Sequence, residues 1–333
     1  MKKPVPYTVL ITVLAVGLFI AAGVSMLVGP AGVGLPELLG VIGGGQTDTA
    51  WIIIREIRLP RTILAVMIGA TLGLSGATLQ GYLRNPLADP GVVGVSSMAA
   101  LGAVLALYSG LSALFPLALP LMAIVGGLGC VFLLQGLAGR GGVLTLILAG
   151  VAISSLAGAL TSLALNLSPN PYAALEIVFW LLGSVSDRSM DHMWLAAPFM
   201  VVGWVLLIAA ARPLDALTLG EEAAIGLGVN LKRTQTLVIT GTAISVGAAV
   251  AVSGAIGFVG LIVPHLMRPL VGHSPSRLLL ASALGGGLLL TVADILVRVI
   301  TPGSELRLGV VTALIGAPFF IYLVLKARTE LES

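Results

Sequence analysis

Three arginines stand close together directly before a long apolar run. They are Arg55, Arg58 and Arg61, in the segment IREIRLPR, and the rest of the chain indicates that they lie on the outer side of a membrane. Membrane proteins concentrate basic residues in cytoplasmic loops, and charge placed against this bias is costly to keep. We therefore interpret the three guanidinium groups as a docking site for an acidic partner.

Other residues that could carry chemistry do not form a catalytic pattern. No lysine is followed by serine or threonine, so the chain lacks the phosphate-binding P-loop needed to hydrolyse ATP by that route. Cys130 is the single cysteine, and the three histidines lack the paired spacing of a metal site. The sequence predicts no enzyme, no metal site and no internal disulfide.

One ion pair is expected inside the apolar segments. Asp294 is the clearest charged residue in a predicted span, and Arg298 follows one helical turn later as its expected partner. An ion-coupled secondary transporter with its ion site at this pair is therefore an alternative function. The chain offers hardly any further charge for a proton or sodium relay.

The composition is that of a polytopic membrane protein. Hydrophobic residues make up 58% of the 333 positions and charged residues 9%, whereas roughly a quarter of residues are charged in soluble domains. A span needs about 20 apolar residues. Ten segments qualify: 7–28, 61–83, 92–109, 113–136, 143–167, 193–211, 234–253, 255–271, 277–299 and 308–326. The first is interpreted as a retained helix because no cleavage site follows it.

The basic residues predict the orientation of these spans. Placing both termini in the cytoplasm puts 11 of the 17 lysines and arginines inside, in keeping with the positive-inside rule. A nine-span alternative would merge spans seven and eight, which are separated only by glycines, and would move the basic C-terminus outside. The net charge of +3 reflects loop residues, so we expect no nucleic-acid partner.

Two predicted spans carry small residues at four-residue spacing, which favours close helix packing or the lining of a solute path. In span five they are Gly150, Ser154, Gly158, Ser162 and Asn166, and in span seven Gly241, Ser245, Ala249 and Ser253. Ser162 and Asn166 are the best path candidates because they are polar as well as small.

Residues 212–233 form the longest polar segment on the predicted inner side. The pattern indicates two short helices broken at Gly226 and Gly228, with Glu221 and Glu222 near the first helix start, where acidic side chains favour the helix dipole. The segment is either an interfacial helix on the membrane or a lever fitted into a partner's groove.

Five motifs in series make the chain resemble a known family. They are RLPR at 58–61, RNPLADPG at 84–91, LGEEAAIGLGV at 219–229, GFVGLIVPHLMR at 257–268 and ELRLGVVTALIGAPFF at 305–320. Together they resemble the FecCD family, the permease subunits of ABC importers for iron chelates, haem and vitamin B12.

The resemblance implies an architecture and a set of partners. It implies an all-α, single-domain permease over residues 1–333, with ten transmembrane helices and the type II ABC importer permease fold. The expected partners are a second copy of the chain, or occasionally a different permease chain, two cytoplasmic ATPase subunits and a periplasmic substrate-binding protein. ATP and Mg would be held by the ATPase, so no cofactor is expected on this chain. The location implied is the bacterial inner membrane.

The resemblance also implies roles for particular residues. Arg58, Arg61 and Arg298 would receive glutamates of the binding protein, and Arg55 and Arg307 are our additions to this docking set. The residues expected to contact the ATPase are Asp215, Leu219, Gly220, Glu221, Glu222 and Ala223. The path is expected along Ser154, Gly158, Ser162 and Asn166, and an inner gate at Gly141, Gly142 and Val143.

The function expected from these features is import of an iron-siderophore or haem. Cobalamin is the alternative substrate, because the same motifs serve all three. The alternatives from other classes are the ion-coupled transporter and a membrane scaffold that transports nothing.

Overall fold

A computed structural model describes residues 6–29, 31–43, 48–115, 117–138, 142–168, 171–300 and 306–332. Within these ranges every regular element is helical, which confirms the all-α fold class. The helices of the first half are α1 (Tyr7–Leu27), α2 (Leu35–Ile42), α3 (Asp48–Ile52), α4 (Leu59–Tyr82), α5 (Val95–Tyr108), α6 (Leu111–Leu114), α7 (Ala118–Ala138) and α8 (Val143–Asn166). Those of the second half are α9 (Pro171–Leu181), α10 (Met190–Ala209), α11 (Ala211–Leu217), α12 (Glu221–Gly226), α13 (Leu231–Ser253), α14 (Val259–Met267), α15 (Pro275–Ile300) and α16 (Leu308–Glu332).

Most predicted spans coincide with long apolar helices. Among the described residues, seven helices are long and apolar enough to cross a membrane, and four apolar helices are shorter. One of the seven is continuous over Thr49–Tyr82, where a π-helical turn at Ile53–Arg58 joins α3 to α4. The chain is thus a multi-pass membrane protein, while the count of ten spans stays a prediction.

Two boundaries differ from the prediction. The span predicted at 255–271 is not one helix: the chain is non-helical from Gly254 to Gly257, and α14 is only nine residues long. Gly254 and Phe258 both have left-handed backbone angles, with φ of +69° and +67°, which break the helix. The second difference is α9, whose eleven residues are too few for the span criterion and so lay in a predicted loop.

The helices define two ends of the bundle, named here by one residue at each. At the Arg58 end, α1 and α15 finish beside the start of α4, as the contacts of Arg298 with Ser25 and Val28 show. At the Arg84 end, α4 finishes beside α12, where Arg84 lies 3.4 Å from the Glu221 carboxylate.

Glycines bring the central helices together at backbone distance. Gly69 and Gly73 of α4 lie against Gly286 and Ser282 of α15, and a β-carbon at any of the three glycines would overlap backbone of the opposite helix. Small residues allow such approach in membrane bundles, where dispersion contacts replace the hydrophobic effect between helices. The α4–α15 pair is therefore the tightly packed centre of the fold.

The small-residue stripe of predicted span seven is part of this packed interior. Gly241, Ser245, Ala249 and Ser253 are all buried. Gly241 lies against the Leu207 side chain of α10, and the hydroxyl of Ser245 donates to the Gly241 carbonyl at 2.6 Å. In this stripe the packing interpretation is favoured over the lining of a path.

Candidate functional site: two ends of the helical bundle

The polar segment at the Arg84 end consists of two short helices, α11 and α12. Glu221 and Glu222 occupy the first turn of α12, as the sequence predicts, and the helix ends at Gly226. The prediction of a second short helix after the glycine break was wrong. The other short helix is α11, before Glu221, and the helix after the glycine break is the long α13. The chain bends between α11 and α12 at Gly220. Its φ of +102° is accessible to glycine but would strain a residue with a side chain.

This segment presents apolar and acidic side chains to the outside of the chain. Leu219 is 68% exposed and Ile225 56% exposed, while Glu222 and Ala223 are exposed beside them. Ile225 was not among the predicted contacts; its position within the motif LGEEAAIGLGV was the available signal. Exposed leucine and isoleucine at the end of a bundle form a surface suited to a protein partner.

Two of the predicted contact residues instead anchor the segment to the bundle. Asp215 is half-buried and accepts a hydrogen bond from the Ser276 backbone N–H at 2.9 Å, which ties α11 to the start of α15. The exposed Glu221 pairs with Arg84 after the end of α4. Gly220, the remaining member of the predicted set, is half-buried at the bend.

The turn that follows Arg84 is also internally bonded. The Asp89 carboxylate accepts from the Gly91 backbone N–H at 2.9 Å, and burial raises the pKa of Asp89, a rise that this hydrogen bond partly offsets. Gln80 links the turn to α14 by donating to the carbonyls of Ala88 and Gly260. The motif RNPLADPG therefore forms a structured turn, as its prolines predict.

A pH-dependent contribution to stability is expected from this turn. The pKa of Asp89 is higher in the folded protein than in the unfolded chain. The contribution of Asp89 to stability is therefore largest at low pH, and it decreases as pH rises from the unfolded pKa through the folded pKa. Asp89→Asn keeps an oxygen acceptor for Gly91, so we expect it to melt at or above the wild-type temperature at pH 8. Asp89→Ala loses the cap and about 1 kcal/mol. Thermal unfolding at pH 5 and pH 8 measures both; an Asn variant as weak as the Ala variant would contradict this account.

At the Arg58 end the three arginines implied by the resemblance come together. Arg58 is buried and donates through Nη1 to the carbonyls of Met26, Leu27 and Val33, at 2.7, 3.0 and 3.1 Å. Met26 and Leu27 are in the last turn of α1, whose carbonyls lack partners within the helix. Arg58 therefore caps α1.

Arg61 and Arg298 share one carboxylate. Asp294 is 1% exposed, and its two oxygens lie 3.0 Å from Nη2 of Arg61 and 2.9 Å from Nη2 of Arg298. Arg298 also donates to the carbonyls of Ser25 and Val28. The expected pairing of Asp294 with Arg298 is confirmed. Both oxygens are held by guanidinium groups, a geometry that favours a structural ion pair over an ion-transport relay.

Acceptors within the chain hold all three arginines of the predicted docking set, Arg58, Arg61 and Arg298. Their docking role stays a prediction. Arg55, by contrast, is 59% exposed and lies over the Trp51 ring at 4.7 Å. Arg307 is half-buried over the Phe179 ring at 5.5 Å.

Arg188 and Arg307 form a second pair of neighbouring basic residues. Burial lowers the pKa of Arg188, in the loop after α9; neighbouring Asp187 opposes this effect and Arg307 adds to it. Arg188 is one of the six basic residues that the predicted orientation places outside, and no role was predicted for it.

The predicted path residues of α8 do not share one face. Ser154 is half-buried and donates to the Gly91 carbonyl at 3.4 Å, whereas Gly158, Ser162 and Asn166 are exposed. Gly150, at the start of the stripe, is buried. The reason is that steps of four residues rotate about 40° further round a helix with 3.6 residues per turn. The exposed part of the stripe remains available to line a path.

An apolar cavity of about 600 Å³ lies beside the start of α16. It is lined by the end of α9 with the residue after it, by the Gly254–Phe258 break region and by α16, including Leu182, Phe258, Gly309 and Leu314. This cavity could not be predicted from local sequence, because residues far apart in the chain form it. Of the predicted gate, Gly141 lies outside the described residues, and Gly142 and Val143 are at the start of α8.

Metal-ligating side chains are not gathered anywhere in the described ranges, where no three His, Cys, Asp or Glu residues come together. Within those ranges, the features that stand out are an exposed apolar segment at one end, basic groups at the other, and the apolar helix α8 with its exposed strip of small and polar residues. This arrangement, in a multi-pass helical bundle, is the one expected of a membrane permease.

Comparison with known proteins identifies the family. The model of the FecCD transport family matches residues 14–326, so the chain belongs to the FecCD transport family. A cobalamin import permease, BtuC of Halobacterium salinarum, is 41% identical over 284 residues, covering 84% of this chain and 75% of that protein. The iron(III) dicitrate permease FecD of Escherichia coli is 40% identical, covering 83% and 86%.

Two further matches extend the comparison. The hemin permease HmuU of Yersinia pestis is 36% identical over 85% of this chain and 86% of its own. A solved structure described as an inward-facing conformation of a metal-chelate type ABC transporter superposes with a TM-score of 0.85 at 35% identity, covering 95% and 98% of the two chains. The chain is thus an ABC importer permease subunit by family and by fold.

Proposed function

We propose that this chain imports an iron chelate or haem across the bacterial inner membrane. It works as two copies, with two cytoplasmic ATPase subunits that hold ATP and Mg, and with a periplasmic binding protein that delivers the substrate. The Arg84 end and both termini face the cytoplasm. Support comes from relatives and a structural neighbour that handle iron dicitrate, hemin and metal chelates. Cobalamin is the second candidate, because the BtuC relative is as similar as these.

The observation that carries the proposal is the exposed segment at the Arg84 end. Leu219 and Ile225 stand out from two short helices that are tied to α15 through Asp215 and to α4 through Glu221. A partner that binds Leu219 and Ile225 can therefore move α4 and α15, the two helices at the centre of the fold. We assign this segment to the ATPase interface, with Leu219, Glu222, Ala223 and Ile225 as contacts.

The substrate path is proposed along the exposed part of α8 and the apolar cavity beside α16. Gly158, Ser162 and Asn166 give α8 a small and partly polar strip, and the cavity wall of Phe258 and Leu314 is apolar. The second copy of the chain closes this surface. A weakly polar wall of this kind suits a large chelate, which offers apolar edges and few fixed charges.

The Arg58 end is the proposed docking surface for the binding protein. Arg55 and Arg307 both offer guanidinium groups to a partner. Within the described residues, Arg55 has a carboxylate neighbour in Glu56, at 3.8 Å, and no carboxylate lies within 4 Å of Arg307. Docking on Arg58, Arg61 or Arg298 requires a partner carboxylate to replace Asp294 or the α1 carbonyls as acceptor. Exposed pairs at such a rim mainly set encounter rate and orientation.

The ATPase interface is tested by Leu219→Ser in the full complex reconstituted in vesicles. We expect ligand-stimulated ATP hydrolysis and uptake to fall at least about tenfold, since interface anchors carry binding free energies of about 2 kcal/mol or more. Leu137→Ser is the matched control: Leu137 is 59% exposed near the end of α7 at the same end of the bundle. It should retain wild-type activity.

The probes are ferric citrate, hemin and cyanocobalamin, each with the cognate binding protein. Full activity of Leu219→Ser would refute the assigned interface. Uptake that resists vanadate but stops with a proton uncoupler would refute the importer and select the ion-coupled alternative. Stimulation by cyanocobalamin alone would replace the proposed substrate.

A further inference from the structure

A second cavity lies at the Arg84 end, between α11 and the start of α13. Its volume is about 470 Å³. Ala209, Ala216, Leu227 and Leu237 contribute an apolar wall, and Arg212 and Arg233 contribute two guanidinium groups. The cavity thus combines an apolar lining with two basic groups.

The two guanidinium groups have no acid to neutralise them. Among the described residues that line the cavity there is no carboxylate, and within the described ranges none lies within 4 Å of Arg212 or Arg233. Of the carboxylates in α11 and α12, Asp215 accepts from Ser276 and Glu221 pairs with Arg84, while Glu222 does not line the cavity. Two exposed cations in one cavity repel each other unless an anion lies between them.

The cavity lies where the headgroups of a membrane are expected. α10 has 20 residues and α13 has 23, lengths of about 30 and 35 Å that match the hydrocarbon core of about 30 Å. Arg212 follows the end of α10, and Arg233 stands in the first turn of α13. Both guanidinium groups are therefore expected at the level of lipid phosphates, with Leu237 one turn further along α13.

We propose that this cavity binds an anionic phospholipid. The lipid phosphate lies between Arg212 and Arg233, and the first part of an acyl chain lies along Ala209 and Leu237. Basic pockets between membrane helices have this chemistry, because arginine and lysine near a membrane surface attract anionic lipid headgroups. The inference requires only that α10 and α13 cross the membrane, so it is independent of what the chain transports.

The bound lipid has a mechanical consequence for the neighbouring segment. Arg212 belongs to α11, whereas Arg233 belongs to α13, so one phosphate bridges two helices that are separated in sequence by α12. An anionic lipid therefore braces the exposed segment from Leu219 to Leu227. Its removal is expected to loosen that segment.

The test is binding of phosphatidylglycerol to the full-length chain in uncharged detergent, followed by native mass spectrometry and thermal shift. We expect saturable binding and a rise in melting temperature with phosphatidylglycerol but not with phosphatidylcholine or inorganic phosphate. The double variant Arg212→Gln/Arg233→Gln should bind phosphatidylglycerol at least about tenfold more weakly. The control Lys232→Gln/Arg277→Gln removes the same charge at the same end, outside the cavity, and should bind normally.

Three results would overturn the proposal. Equal weakening in the control pair would show attraction to net charge alone, and an equal shift with inorganic phosphate would show a free anion site. The third is a double variant that binds phosphatidylglycerol normally but assembles poorly with the ATPase, which would assign the cavity to the protein partner.

Discussion

Replacing Asp294 by alanine is expected to lower the free energy of unfolding by about 3–5 kcal/mol. Its carboxylate is buried, and it is the shared acceptor of Arg61 and Arg298. Removing it leaves two guanidinium groups beside one another in a site shielded from water, where an uncompensated charge is costly. Thermal unfolding of the purified chain in detergent measures the loss.

Glu56→Ala is the matched control for the carboxylate. Glu56 is also paired with an arginine, Arg55 at 3.8 Å, but both side chains are more than half exposed. Exposed pairs contribute about 0–1 kcal/mol, so we expect almost no change in melting temperature. Equal melting of the two variants would show that the Asp294 network does not hold the Arg58 end together.

A second substitution at this position, Asp294→Asn, separates the two transport mechanisms. Asp294→Asn keeps the shape and one acceptor of the side chain while removing its charge. In an ATP-driven importer, the residual activity of this variant should follow its stability and remain sensitive to vanadate. Loss of uptake at full stability would instead point to ion coupling at Asp294.

The second large effect is expected at Gly73, where α4 meets α15. A β-carbon there overlaps the Ser282 carbonyl, and neither backbone can move aside independently. Overpacking of this kind costs about 1–3 kcal/mol, so Gly73→Ala should lower the melting temperature and the yield of folded protein. The measurement is fluorescence-detected size exclusion after heating.

Gly158→Ala separates crowding from helix propensity. Both glycines lie inside long helices, where alanine is the better helix former by about 1 kcal/mol. No atom lies within 4 Å of a β-carbon built at Gly158. We therefore expect this control to be neutral or slightly stabilised; a similar loss in both variants would contradict close packing as the cause.

Apolar length predicted most of the helices, because a segment that crosses lipid must satisfy its backbone internally. Apolar length does not predict a helix where an apolar segment is non-helical or where a helix is short. Residues 254–257 are apolar or small but non-helical, and α9 is helical but short. Nothing in local composition reports the left-handed angle at Phe258, which depends on surrounding packing.

The arginine cluster shows the limit for site residues. Spacing predicted the pairing of Asp294 with Arg298, since the two are one helical turn apart. It could not predict that Arg61 shares the same carboxylate from 233 positions away, or that Arg58 caps α1. The RLPR motif located Arg58 and Arg61, but whether they are buried depends on tertiary contacts.

The glycine seam between α4 and α15 also constrains how the molecule can change shape. The backbones of α4 and α15 are in direct contact at these glycines. The two helices therefore cannot slide or roll past each other without losing this contact altogether. We expect the pair to move as one rigid body during transport, with rearrangement confined to looser surroundings such as α8 and α16. The inflexible axis of the permease is thus set by residues that have no side chains.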